Sequence, residues 1–162
     1  MLFWLNVVAA RGESVESIVR GHWARFGRNY YTRYDYEEIA SEDAAALMAN
    51  LRTRLPSLAG AVLGGRRVAG ADDFAYLDPV DGSSSTGQGL RVLFEDGARI
   101  IYRLSGTGTA GATLRVYIES FETAAESLNP GVADALAPLV GVALELADVR
   151  ARTGRDRPTV IT

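Results

Sequence analysis

The sequence predicts an α+β fold, an antiparallel sheet covered by helices, from three observations. Two segments in the N-terminal third set apolar residues at helical spacing, and segments between Leu90 and Glu122 alternate apolar with polar residues. A helix rich in alanine and leucine then follows Pro130. At 162 residues and 48% hydrophobic composition, the chain has the size of one domain with a sizeable core.

The opening "MLFWLNVVAA" is apolar, yet it falls far short of the ~20 residues a membrane span requires and lacks the basic start of a signal peptide. It reads as a buried helix or the end of one. After Gly12, Val15, Ile18, Val19, Trp23 and Phe26 recur at helical spacing, with Ser14 as N-cap and Gly27 as stop. "RNYYTRYDYEE", with Tyr30, Tyr31, Tyr34 and Tyr36, reads as a packed aromatic connector, a short strand being the alternative. Ser41 is expected to cap "EDAAALMANLRTRL", where Leu47, Met48, Leu51 and Leu55 line one face until Pro56 ends the helix.

From Arg66 the pattern changes to strands. One is expected through Phe74 and Tyr76, followed by a loop in which Pro79, Gly82 and the serines favour turns. "LRVLFEDGARIIYRL" predicts a hairpin turning on a two-residue Asp96-Gly97 pair, and "ATLRVYIESFE" completes a meander. Asn129 and Pro130 are expected as N-cap and first residue of a helix running to about Arg150, with Pro138 as its kink or restart.

Composition narrows the function. A net charge of −3 argues against nucleic acid or an anionic membrane as the main partner, because both call for a basic field. The count of cysteines is zero, which fits a cytoplasmic protein. His22, the one histidine, reads as a packed residue beside Trp23, and Asp72-Asp73 and Glu37-Glu38 as solvated pairs in or beside turns. No nucleophile, base or metal cluster stands out.

The chemistry concentrates in "RLSGTGTAGATLR", Arg103 to Arg115. Gly106, Gly108 and Gly111 spell G-x-G-x-x-G, but in a dinucleotide-binding turn the third glycine opens a helix, whereas here alternation continues as a strand. The chain has no lysine, which removes the phosphate loops that depend on one. What remains is a hairpin whose glycine backbone, Ser105, Thr107 and Thr109 hydroxyls and two arginines suit an oxyanion. Alternation sets Arg103 and Arg115 on the face opposite Leu104 and Leu114, flanking the mouth of the loop. A flexible connection with surface arginines is the other reading these residues allow.

"FGRNYYTRYDYEE", "DPVDGS", "QGLRVLFEDGARIIYRLSGTGTAGATLRVYIE" and "RTGRDRPTVIT", in this order, resemble the C-terminal, fourth domain of the α-D-glucose-specific phosphoglucomutases, in the phosphohexomutase superfamily. The resemblance runs from about Leu2 to Thr162. It implies a TATA-binding-protein-like α+β domain over residues 13–162, with residues 1–12 the end of a helix from a preceding domain. It also implies that Arg103, Ser105, Gly106, Thr107, Gly108 and Arg115 hold the substrate phosphate that is not being transferred. In the intact enzyme a phosphoserine elsewhere would exchange its phosphoryl group with glucose 1-phosphate or glucose 6-phosphate. Magnesium would be held by other domains, so this chain supplies no catalytic residue or metal ligand and is expected to be inactive alone. "SSSTGQG" departs from the family in having Gly87 before the glutamine, where an asparagine is expected.

The partners so implied are a phosphosugar or inorganic phosphate or sulfate, and the remaining mutase domains. Self-association through the apolar N-terminal segment is a further expectation. Two alternatives stay open at this point: a free-standing phosphate- or nucleotide-binding module, and a structural or interaction domain with an idle loop.

Overall fold

A computed structural model of the chain describes residues 2–108 and 111–162. Seven strands form one sheet in the order β2-β3-β6-β7-β8-β1-β9, built from β1 (Arg28–Ile39), β2 (Val62–Leu63), β3 (Arg66–Asp73), β6 (Leu90–Phe94), β7 (Arg99–Gly108), β8 (Gly111–Glu122) and β9 (Val160–Ile161). β4 (Tyr76–Leu77) and β5 (Ser84–Ser85) make a separate two-stranded ribbon. Helices α3 (Ser41–Arg54) and α4 (Val132–Ala147) cover one face of the sheet, and α5 (Val149–Thr153) packs against both of them. The expected α+β architecture is the one observed.

Strict alternation generates this layering. Leu114, Val116 and Ile118 of β8 are buried under the helices, opposite Leu104, Tyr102 and Ile100 of β7. The intervening residues of both strands point to the face the helices leave uncovered. Tyr102, fully buried, donates its hydroxyl to the Ala143 carbonyl of α4 at 2.7 Å, tying helix to sheet.

The tyrosine-rich segment is a twelve-residue strand, β1, paired along its length with β8. Tyr30 and Tyr36 bury their rings on the core side, and the Tyr30 hydroxyl reaches the Ser127 carbonyl at 2.8 Å. The segment becomes a strand because its backbone pairs with β8 while alternate rings project into the core.

Burial, with a smaller contribution from Tyr34, pushes the Tyr36 phenol from 10.0 up to about 12. The unfolded phenol ionises first, so this stabilisation is complete below pH 10 and is lost as the pH rises towards 12. The urea midpoint is therefore expected to fall between pH 10 and 12, less steeply in Tyr36→Phe, and a midpoint constant across that window would contradict the burial argument.

Other expectations are corrected in detail. α1 (Leu2–Arg11) has no buried residue, against the expected buried helix; Leu2 and Phe3 are 78% and 77% exposed. α2 (Val15–Phe26) has the expected Ser14 cap, accepting from the Ser17 N–H at 3.1 Å, and the expected Gly27 stop at φ 84°, but buries Ile18 alone. Ser41 is the first residue of α3 and does not cap it; Ala40 holds the cap position without a side-chain bond. β3 ends at Asp73, short of Tyr76, because Phe74 exchanges backbone bonds with Gly89 (2.8 Å) and Gln88 (3.2 Å) and releases the ribbon beyond.

The Asp96-Gly97 hairpin turns on three residues, Glu95 to Gly97, with Gly97 at φ 85° and Phe94 bonded to Ala98. α4 begins at Val132 with Gly131 in the cap position; Asn129 does not cap it, its side-chain carbonyl instead accepting from Arg20 at 2.7 Å. It runs through Pro138 and breaks at Asp148, whose left-handed φ of 51° starts α5.

Candidate anion-binding site

β7 and β8 carry the arginine hairpin as an extension of the sheet. Arg103 lies directly opposite Arg115, Leu104 opposite Leu114 and Ser105 opposite Thr113. The two arginines therefore share the uncovered face, as alternation requires, with the Ser105 and Thr113 side chains one step nearer the tip on the same face. Like charges opposed across a ladder repel, so this pair is an unfavourable arrangement until something negative sits near it.

Beyond Ser105 the register shifts, and pairing resumes at Gly108 opposite Gly111. Gly106, at φ 67°, is the left-handed residue that such a bulge requires. Gly111, at φ 98°, packs so closely that a Cβ there would lie 3.1 Å from the Ile39 carbonyl. As expected, the third glycine opens a strand. Thr109 and Ala110 lie outside the described residues, as does the side chain of Thr107.

The two arginines are held differently. Arg103 runs its stem past Gly89, where a Cβ would meet Arg103 Cγ at 2.8 Å and the Tyr102 carbonyl at 2.9 Å. Gly89→Ala, at a backbone φ of 152°, is expected to cost about 1–3 kcal/mol of stability and to move the Arg103 side-chain resonance. Urea unfolding and the arginine Nε–H spectrum check this, and a variant identical to the parent in both would contradict the contact. Arg115 instead turns its Nε towards Asp35 Oδ2, 3.8 Å away, and Asp35 accepts a bond from Arg33 Nε at 2.8 Å. Two arginines, Arg33 and Arg115, thus stand against the one Asp35 carboxylate.

Thr113, Asp35 and Gly89 are absent from the residues the sequence singles out here. Thr113 was within reach of the alternation argument, while Asp35 and Gly89 become visible only through cross-strand register.

The other candidates resolve as surface structure. Asp72 lies in β3 and not in a turn, and takes a two-pronged bond from Arg91 at 2.8 and 2.7 Å, which holds its carboxyl below the usual range. Asp73 pairs with Arg52 at 2.6 Å, and Glu37 and Glu38 belong to β1. His22 is exposed, not packed, its ring 4.8 Å from that of Phe26. In "DPVDGS" Asp78 accepts from the Val80 N–H and Asp81 from the Ser83 N–H, both at 2.7 Å, closing the turn of the β4–β5 ribbon on itself. No helix is long and apolar enough to cross a membrane among the described residues.

Comparison with known proteins agrees with this architecture. A family model described as "Phosphoglucomutase-1, C-terminal domain" matches residues 28–159. The chain is 56% identical over 162 residues to a phosphoglucomutase of Rhizobium radiobacter, covering all of this chain and 30% of that protein. It is 48% identical over 168 residues to phosphoglucomutase-1 of Oryctolagus cuniculus, again across all of this chain and 30% of that one. The open form of the phosphoglucomutase parafusin from Paramecium superposes with a TM-score of 0.87 at 44% identity, over 98% of this chain and 28% of that one. The chain thus spans about 30% of the length of the curated relatives it matches.

Proposed function

The chain belongs to the family of phosphoglucomutase C-terminal domains, and on that footing we propose that its Arg103–Arg115 hairpin clamps the phosphate of a phosphosugar for a glucose 1-phosphate/glucose 6-phosphate mutase. The observation that carries this reading is the directly opposed arginine pair on the uncovered face of the sheet. A tetrahedral dianion between two guanidinium forks converts that repulsion into charge-assisted bonds. Ser105 and Gly106 lie at the same mouth, with Thr107 and Gly108 following in sequence.

The contribution to the reaction is positional. Fixing the non-reacting phosphate holds the opposite end of the sugar at the phosphoryl donor, and orientation of this kind supplies up to about 7–11 kcal/mol in the best intramolecular cases. The donor and the magnesium ion belong, on this reading, to other parts of a longer cytoplasmic enzyme, and the chain alone binds without turnover. Among the described residues no three His, Cys, Asp or Glu side chains group closely enough to hold a metal ion.

α1 fits the same reading as the end of a helix of a preceding domain. Its exposed apolar residues, and the groove of about 430 Å³ it encloses with α2, are surface that the other domains would cover. Alone, the chain is expected to self-associate through Leu2–Val8. Light scattering checks this, and a strict monomer at high concentration would contradict it.

The reading is tested by comparing ligands. Glucose 6-phosphate and inorganic phosphate should bind the 162-residue chain with similar, roughly millimolar affinity, and glucose should not bind. Glucose binding as well as its phosphate would overturn the clamp.

A further inference from the structure

We propose that Asp35 is the positioning residue for Arg115, holding its guanidinium by the Nε edge so that the two terminal nitrogens face the anion. The inference rests on the phosphate-clamp reading above and adds a residue to it.

Asp35 is 4% exposed and stands opposite Arg115 in the β1–β8 register. Its backbone is fixed from the other side by the C-terminal segment, with the Thr159 N–H donating to the Asp35 carbonyl at 2.7 Å and Val160 opposite it. The side chain is therefore presented from a fixed backbone, and burial of an ionised carboxylate is costly unless cations answer it. Arg33 Nε answers one oxygen at 2.8 Å. The other oxygen faces Arg115 Nε at 3.8 Å, too far for a hydrogen bond but close enough for strong attraction.

Arg115 Nε is itself buried and, among the described residues, has no hydrogen-bond partner. A donor in that state gains by moving towards the acceptor in front of it. The Nε edge of a guanidinium is one face of its fork, so engaging it from behind leaves the terminal pair free for a two-pronged grip. Arg33 matters for the sign. By neutralising Asp35 it limits the repulsion between the carboxylate and an incoming phosphate, so orientation of Arg115 outweighs that cost.

The test is a double-mutant cycle on the 162-residue chain, titrated with inorganic phosphate by calorimetry. Asp35→Asn should weaken binding about fivefold in the parent, within the coupling range of residues in contact, and change it less than about twofold when Arg115→Ala is already present. Tighter or unchanged binding in Asp35→Asn, or equal weakening in both backgrounds, would overturn the proposal. If Arg115→Ala itself leaves phosphate binding intact, the clamp reading fails and not only this addition to it. A second measurement needs no variant. In the unmutated chain the Arg115 Nε–H should exchange with water more slowly than that of exposed Arg103, and equal exchange would count against the Asp35 contact.

Discussion

Replacing Arg103 and Arg115 together with alanine is expected to remove phosphate binding by the chain altogether. One phosphate gripped without sugar contacts is worth ~4 kcal/mol, roughly a millimolar dissociation constant. A hydrogen bond to a charged group contributes about 1.5–3 kcal/mol, so either single alanine variant should weaken binding some 10- to 100-fold and the double variant should fall below detection. Lysine at either position keeps the charge but loses the planar fork, and should bind more weakly than the parent. Added salt should weaken the parent as well, because both guanidinium groups are solvent-accessible. Calorimetry across these variants checks the series. Binding by the double variant close to that of the parent would mean that the anion sits elsewhere.

The second large effect is on stability. Leu114, 0% exposed, packs beneath the mouth of the hairpin, opposite Leu104 and next to Arg115, and pairs across β1 with fully buried Tyr36. Leu114→Ala should cost about 2–5 kcal/mol, the range for truncating a buried leucine whose surroundings relax only in part. Val15→Ala, on the exposed side of α2, should lie within about 0.5 kcal/mol of the parent. Urea unfolding of the two variants decides the matter. Equal stabilities would mean that the hairpin neck is not part of the core.

The hairpin was legible in the sequence because apolar and polar residues alternate from Tyr102 to Ser105 and again from Thr113 to Glu119, on either side of the glycines. That one regularity assigned Arg103 and Arg115 to the same face. β1 was obscured by its own composition: tyrosines that bury rings and expose or bond their hydroxyls look like a connector until a neighbouring strand is present. Its alternation, Tyr30, Thr32, Tyr34 and Tyr36 against Tyr31, Arg33 and Asp35, was there throughout.

Helix ends were less legible because caps depend on distant partners. Asn129 bonds Arg20 across more than a hundred residues, and Asp148, not Pro138, ends α4 by adopting a left-handed backbone. Asp35 and Gly89 could not be found from local pattern at all. Their relation to the arginines is a matter of cross-strand pairing and close approach, which a linear sequence does not display.

The central claim, that the hairpin is a phosphate clamp, is tested most directly by amide NMR of the 162-residue chain titrated with inorganic phosphate. The account predicts saturable shifts at Ser105, Gly106 and Thr113 and at the Arg103 and Arg115 side-chain Nε–H groups, all lost in the doubly substituted Arg103→Ala, Arg115→Ala chain. Shifts confined to other surfaces, or shifts at the hairpin that persist without both arginines, would contradict it.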